Sequence, residues 1–437
     1  MIEMSVFKGM YAYIVTANML YKELNNYERK NEDKRNLCAR VLVRRGHYRP
    51  ADGQTCRNTC VVWLVCVCVG SDRLESGMAE DQTDTGVVLG FVEGAEPWRL
   101  QSPQFPSKVG GKPAWLSQTD LPSDLTCEQC RRPRAFLLQV YAPIAGQDRS
   151  FHRTLFIFCC KTPACYSHND SRSFKVYRSQ LHRKNDFYPY EPPPEAETEG
   201  DGSGDFVLGS GLKLCRVCGC LGTKTCSRCH HPNYCSKEHQ TLDWRAGHKK
   251  QCSSNELSNA DLDHGFLFPE SELVTEPEEQ PVQDTEVQTE PPEENAENLE
   301  FSLADDDTGA SESSVQKDLE DMAMHETADS KVIERFKQRT SLEPHQVLRY
   351  CRNGSPLWVS AEHHPQENDI PHCVCGAKRV FELQVMPQLL NHLKVDAPGA
   401  SIDWGTLAVY TCAQSCDQGN RYTPEFLWKQ DFSADHR

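Results

Sequence analysis

Between residues 213 and 252 the chain sets out Cys215-x2-Cys218, Cys226-x2-Cys229, Cys235-x3-His239 and His248-x3-Cys252. Thiolate and imidazole are zinc ligands, and these four pairs supply enough donors for two tetrahedral ions with no coordination position left open. A filled shell holds no water to activate, so the spacing points to structural support rather than hydrolysis. The x3 spacing of the last two pairs suits a short helix, on which residues four apart share a face. Cys220 is surplus to the set and stands as a spectator. Six thiolates outweigh two zinc ions, but the eight Lys and Arg of the stretch face only Glu238 and Asp243. The module is therefore cationic by about four charges once metallated, which favours acidic or polar partners.

Cysteine is dense elsewhere too, 22 in 437 residues. Clustering in C-x-C, C-x2-C and C-x3-C groups reads as metal thiolates in a reducing compartment rather than as a disulfide framework. Two of the groups belong to an internal repeat. Gly111-x-Pro113-x-Trp115-Leu116-Ser117 returns as Gly354-x-Pro356-x-Trp358-Val359-Ser360. Each copy continues with a cysteine pair, Cys127-x2-Cys130 or Cys373-x-Cys375, and then with Phe-x-Leu-Gln-Val at Phe136–Val140 or Phe381–Val385. A branched and aromatic strand follows, ending at Cys160-x4-Cys165 or Cys412-x3-Cys416. Cys159 competes with Cys160 by position, and the repeat selects Cys160. A Phe lies nine or ten residues farther on, Phe174 in one copy and Phe426 in the other.

One unit used twice is the physical reading of such a repeat. Each half is too small to bury a secure core alone, so a metal or a partner half is expected. The repeat assigns one zinc to Cys127, Cys130, Cys160 and Cys165 and another to Cys373, Cys375, Cys412 and Cys416. Trp115 and Trp358 read as core anchors. His230-His231 and His363-His364 read as exposed polar residues.

These motifs need a frame. Val87–Val92, Ala135–Ala142 and Thr154–Cys160 are strand-like runs punctuated by Pro and Gly. The fold class expected is mainly β (α+β), with two repeated β-rich half-domains, 86–190 and 330–437, packed as one body. A Pro-, Glu- and Gly-rich linker spans 191–212, the finger occupies 213–252, and an acidic linker spans 253–329. Asp329 or Ser330 could cap a helix carrying Val332, Ile333 and Phe336. Residues 1–85 show no ligand spacing and read as a poorly ordered extension, with Met78 as an alternative start.

The formal charge is −16, but it is unevenly spread. Residues 254–330 hold 24 acidic side chains and only Lys317 as a base, which leaves the rest of the chain at +7. Few apolar residues interrupt that tract, and it is expected to be disordered. It reads as a solvated tether; mimicry of nucleic acid that masks a basic client is the second reading. The overall balance argues against sequence-specific nucleic-acid binding. The N-terminal stretch lacks a signal peptide pattern, and the longest apolar run, Cys60–Val69, is too short to span a bilayer. A soluble, intracellular protein with no membrane partner is expected.

The run YCSKEHQTLDWRAGHKKQC, Tyr234–Cys252, resembles the second half of a MYND finger. That resemblance implies interleaved sites, Cys215, Cys218, Cys235 and His239 on one ion and Cys226, Cys229, His248 and Cys252 on the other. His239 stands where many such fingers have Cys. MYND fingers typically take proline-containing peptides. Around the finger, LGFVEG (Leu89–Gly94), SPQFPSKVGGKPAWL (Ser102–Leu116), FCCKTPAC (Phe158–Cys165) and DWGTLAVYTCAQSC (Asp403–Cys416) resemble the programmed cell death protein 2 family. The resemblance implies a zinc-binding chaperone of a newly made small-subunit ribosomal protein, the universal protein five, acting in cytoplasm and nucleus. It also implies an alternative, an adaptor of transcriptional regulators working through the finger. An enzyme is not expected: no nucleophile–base pair, phosphate loop or open zinc site is legible.

Overall fold

The computed structural model describes residues 39–47, 61–69, 86–193, 208–254, 264–278, 329–395 and 401–433. Within the N-terminal stretch read as an extension, β1 (Ala39–His47) and β2 (Val61–Val69) pair as an antiparallel hairpin, Ala39 opposite Val69. The remainder of that expectation lies outside the described residues. No helix among the described residues is long and apolar enough to cross a membrane.

The rest of the described chain is built on one closed barrel. Its strands are β3 (Val88–Glu93), β4 (Lys108–Val109), β5 (Ala135–Tyr141), β6 (His152–Cys159) and β7 (Phe174–Leu181) from the first half. The finger adds a small ribbon, β8 (Lys224–Thr225) with β9 (Asn233–Tyr234). The barrel continues with β10 (Ser271–Pro277), β11 (Leu348–Tyr350), β12 (Arg379–Val385), β13 (Thr406–Cys412) and β14 (Thr423–Gln430). Around the barrel the order is β10-β3-β11-β12-β13-β14-β7-β6-β5-β4, and β4 closes on β10. Closure removes every strand edge, which an open ten-stranded sheet would leave exposed.

The repeat is visible strand by strand. Phe136 faces Phe158 across β5 and β6 as Phe381 faces Tyr410 across β12 and β13. Both pairs of strands carry a register shift at the same place, between Phe136 and Leu138 and between Phe381 and Leu383. That bulge is the structural content of the Phe-x-Leu-Gln-Val motif. The Gln of each motif then pins the preceding loop. Gln139 Oε1 accepts from the Ala114 amide at 2.9 Å and its Nε2 donates to Ala114 and Pro106 carbonyls. Gln384 accepts from the Leu357 amide and donates to the Leu357 carbonyl at 3.0 Å.

One detail of the repeat needs correction. Phe158 faces Lys175, whereas Tyr410 faces Phe426, so Phe174 and Phe426 are one residue out of step. A one-residue shift reverses the face. Phe174 accordingly packs in the barrel interior, and Phe426 lies outside with Phe381 and Tyr410.

The acidic tract also differs from expectation. Residues 264–278 are not a linker: β10 lies between β3 and β4, Glu272 opposite Glu93 and Lys108. Three of the four acidic side chains of 264–278 are neutralised, and Glu276 stays exposed. Glu270 pairs with Lys108, Glu272 with Arg99 at 2.9 Å, and Glu278 with both Arg339 and Arg349 at 2.8 Å. Leu273 fills the core. The rest of the tract, 255–263 and 279–328, and most of the linker before the finger lie outside the described residues.

β10 is the repeat partner of β3, and the two are exchanged. β3 precedes β4 in sequence but pairs with β11; β10 precedes β11 but pairs with β4. Neither half can therefore complete its sheet without the other. Buried ion pairs add to the seam. Arg153 on β6 binds Glu382 on β12, Nη2 to Oε2 at 2.7 Å, both fully buried. Burial works against the Glu382 charge, but Arg153 and the Thr411 hydroxyl outweigh it and hold the carboxyl below its usual range. Glu425 bridges Arg178 of the first half, at 2.7 Å, and Arg379 of the second, at 2.8 Å.

The interior is apolar, with Leu155, Ile157, Val176, Leu383, Val385, Leu407 and Val409 drawn from alternate positions of both halves. Helical backbone over 329–342 lays Ile333 and Phe336 inward. Asp329 opens the described part of that helix. Its carboxylate accepts from Ser360 Oγ at 2.8 Å, the Ala361 amide at 2.7 Å and Ser433 Oγ at 2.7 Å.

Candidate metal centres

Four clusters of four ligand atoms stand out, each with its atoms within 4.8 Å of one another. They are Cys127, Cys130, Cys160, Cys165; Cys215, Cys218, Cys235, His239; Cys226, Cys229, His248, Cys252; and Cys373, Cys375, Cys412, Cys416. All sixteen residues singled out from spacing are thus gathered, in the interleaved sets within the finger.

The geometry fits zinc. Tetrahedral zinc with Zn–S near 2.3 Å separates its sulfurs by about 3.8 Å. The sulfurs of Cys130 and Cys160 lie 3.5 Å apart, those of Cys127 and Cys165 3.9 Å, those of Cys218 and Cys235 3.7 Å and those of Cys226 and Cys252 3.9 Å. Cys373–Cys416 and Cys375–Cys412 both lie at 3.6 Å. His239 turns Nδ1 to the sulfurs of Cys235 and Cys215, at 3.2 and 3.5 Å, and His248 turns Nε2 to Cys229 at 3.5 Å. The Ala377 amide draws the Cys375 thiol down to about 7, while burial pushes its neighbour Cys373 up to about 12. Sulfurs this close share negative charge only when a cation sits among them.

Local structure explains how each ligand is placed. Every half-domain cluster joins the loop before a bulged strand to the end of the next strand. Cys160 directly follows β6 and Cys412 ends β13. The loop turns are tight, with Arg131 N bonded to the Cys127 carbonyl at 2.9 Å and Gly376 N to the Cys373 carbonyl at 2.8 Å. In the finger, Cys235 lies just before helix α1 (Lys237–Asp243), whose cap Ser236 Oγ accepts from the His239 amide. So the C-x3-H pair spans a helix start rather than one helical face. His248 ends a wide turn over 244–248, and Cys252 lies on α2 (Lys249–Ser254).

Of the cysteines whose side chains are described, Cys159, Cys220 and Cys351 stay outside the clusters. Cys159 faces the barrel interior, its thiol pushed up to about 12 by burial, and Cys220 is buried with its sulfur 3.7 Å from the Cys218 carbonyl. The paired histidines of the second half are not simply exposed. His363 stacks on Trp428 and His364 on Trp358, centroids 4.4 and 4.8 Å apart.

The finger is seated on the outer face of the first half. Trp115, 1% exposed, donates its indole N–H to the Gly219 carbonyl at 2.7 Å. Gly219 sits at φ +69° with Lys112 so close that an added Cβ would meet it at 2.8 Å. Trp115, Phe136, Phe156, Phe158 and Tyr177 share one buried cluster with Leu214, Val217 and Tyr234 of the finger. Arg132 reaches Glu238 at 3.3 Å.

A strap completes the seat. His264 contacts Asp243 at 2.9 Å, Phe266 packs on the His239 ring, and the Phe266 carbonyl accepts from Lys161 at 2.8 Å. Sequence reasoning missed this strap and β10. The signal was an apolar island, Phe266-Leu267-Phe268-Pro269 with Leu273-Val274, inside the acidic tract.

Comparison with known proteins places this architecture. Family models match three segments: the programmed cell death protein 2 N-terminal domain at 86–195, the MYND finger at 215–252, and the programmed cell death protein 2 C-terminal domain at 330–431. Programmed cell death protein 2 of Mus musculus is 52% identical over 348 residues, 79% of this chain and 96% of that protein. Programmed cell death protein 2-like of Mus musculus is 27% identical over 371 residues, 77% and 91% of the two chains. Probable 20S rRNA accumulation protein 4 of Schizosaccharomyces pombe is 21% identical over 389 residues, 78% and 95% of the two chains. No solved structure matches. A bulged repeat closed into one barrel, a MYND finger seated on it, and half the residues shared with the mouse protein together place the chain in the programmed cell death protein 2 family.

Proposed function

We propose that this chain is a non-catalytic, zinc-stabilised chaperone that receives a newly made small-subunit ribosomal protein, the universal protein five, and supports small-subunit assembly in cytoplasm and nucleus. The observation that supports it most is likeness along 78% of the chain to a fission-yeast protein named for 20S rRNA accumulation. The chemistry is compatible. A ribosomal protein without its RNA is a basic chain in need of shielding, and this chain carries 24 acidic residues in one tract. Zinc in the four clusters would have its shell filled by protein ligands, which suits building a platform and leaves no position for substrate.

Each ligand set has a role in that platform. The half-domain clusters fasten the bulged strands on which the barrel closes. The finger clusters hold the loop that presents the Gly219 carbonyl to Trp115.

The alternative is an adaptor for transcriptional regulators that binds proline-containing peptides through the finger. Affinity purification of the intact chain with mass spectrometry separates the two. Recovery of the ribosomal protein, retained when finger partners are lost, supports the chaperone. Recovery of regulators alone, with small-subunit maturation untouched by depletion, would overturn it.

A further inference from the structure

The repeat makes a quantitative comparison possible between the outer faces of the two halves. Equivalent positions follow from the strand registers. Phe136 corresponds to Phe381 and Phe158 to Tyr410. Tyr177, opposite Phe156, corresponds to Trp428, opposite Ala408. Trp115 corresponds to Trp358 through the shared loop motif and the matching Gln latch.

On the first half these side chains are sealed, at 0–2% exposure, beneath the finger. On the second half Phe381 and Tyr410 are likewise buried, at 5% and 6%, but Trp358 and Trp428, with their neighbours Ile370 and Phe426, are only half-buried, and no finger covers them. The indole N–H of Trp115 is bonded to a backbone carbonyl of the finger, whereas that of Trp358 has no hydrogen-bond partner among the described residues. Val374, between two cluster cysteines of the same half, is 69% exposed.

We infer that this aromatic face of the second half is a docking surface for a cationic, apolar segment of a partner protein that offers a backbone carbonyl to Trp358. Two observations select that occupant. First, the equivalent face is occupied by a module with those properties: eight Lys and Arg against two acidic residues, and a carbonyl presented at a tight turn. Second, the surroundings are acidic. The loop 361–372 beside the face carries Glu362, Glu367 and Asp369 and no Lys or Arg, and of these Glu367 pairs with Lys378. Asp329 lies beside this region as well, its carboxylate bonded to Ser360 and Ala361. A cationic segment meets a complementary field there, and an acidic one is repelled. Bound apolar side chains would bury the indole and phenyl surface that the finger buries on the other half.

The inference deepens the proposed function, since a newly made ribosomal protein is a partner of this class. The test uses the full-length chain and the universal protein five as probe, with affinity measured at two salt concentrations. Trp358→Phe keeps an aromatic ring and removes only the N–H; about a fivefold loss is expected. Phe426→Lys reverses the charge match on the half-buried rim; at least about a tenfold loss is expected, and the wild-type affinity should fall as salt rises. Leu342→Lys, an exposed position on the helix over 329–342, is the control and should leave binding unchanged. Zinc content and far-UV circular dichroism establish that each variant is folded.

The outcomes are distinct. Wild-type binding that survives both face variants overturns the docking surface and leaves the chaperone reading standing. A wild-type chain that does not bind the probe removes the chaperone reading and this inference with it. Variants that alter only self-association assign the face to a second copy and overturn the inference as stated.

Discussion

The two halves of the barrel share a bulged strand pair, a Gln latch and a four-cysteine cluster, yet their outer faces have opposite fates. The first half gives its aromatic face to the finger, and Trp115 sits at 1% exposure. The second half leaves the corresponding Trp358 half-buried under its own His364. The difference teaches that the finger is not a free insertion hanging from two linkers. It is part of the first half's packing, and damage to it cannot stay wholly local. The barrel itself treats the halves alike, because β3 and β10 are exchanged between them.

The largest effect should come from the parts both halves share. Cys412→Ser or Cys160→Ser opens a cluster that fastens the barrel. Structural zinc contributes on the order of 10–16 kcal/mol to small metal domains, comparable to or above the whole stability of a typical fold. Both variants should therefore be recovered mainly as insoluble protein. Comparable soluble yields for wild type and variants in a fractionation assay would show that the clusters do not hold the barrel.

Next comes the seam. Glu382→Gln leaves the Arg153 guanidinium buried and unpaired between the halves, and such a break costs about 3–5 kcal/mol. Urea titration should show one cooperative transition moved to lower midpoint. Two separated transitions would mean that the halves unfold independently, contrary to the strand exchange.

The halves are then set against each other directly. Trp115→Ala removes a sealed side chain and should cost about 3–5 kcal/mol. Trp358→Ala removes a half-buried one and should cost about 1–2 kcal/mol. Equal losses in matched urea melts would break the comparison on which the docking surface rests.

The smallest effect is a pH dependence set by His152 of the first half. His152 is held at about 4, first by burial and then by the Arg183 charge. A base whose pKa falls on folding binds more protons when unfolded, so stability should decline as pH drops from about 6.5 toward 4. Thermal melts of wild type and His152→Phe across that window check this; identical slopes would remove the assignment.

Much of this was legible in the sequence because metal ligands and bulges leave rigid spacing. All sixteen cluster residues, the repeat and its Phe-x-Leu-Gln-Val strands could be read from residue types alone. What could not be read depended on long-range pairing. β10 lay hidden because Glu270, Glu272 and Glu278, on and beside it, argue for disorder in isolation but are neutralised by Arg99, Lys108, Arg339 and Arg349 from distant segments. The Phe174 and Phe426 mismatch arose because a single-residue offset preserves residue type while reversing the face. The seat of the finger rests on a backbone carbonyl at Gly219, and no side-chain pattern announces such a contact.

The central claim is that four closed metal sites, two in the finger and one in each half, build a single platform. Zinc released from the purified full-length chain tests it most directly. Four ions per chain are expected, falling to three or fewer in any soluble fraction of Cys373→Ser. A value of two, unchanged by that substitution, would restrict zinc to the finger and contradict the account.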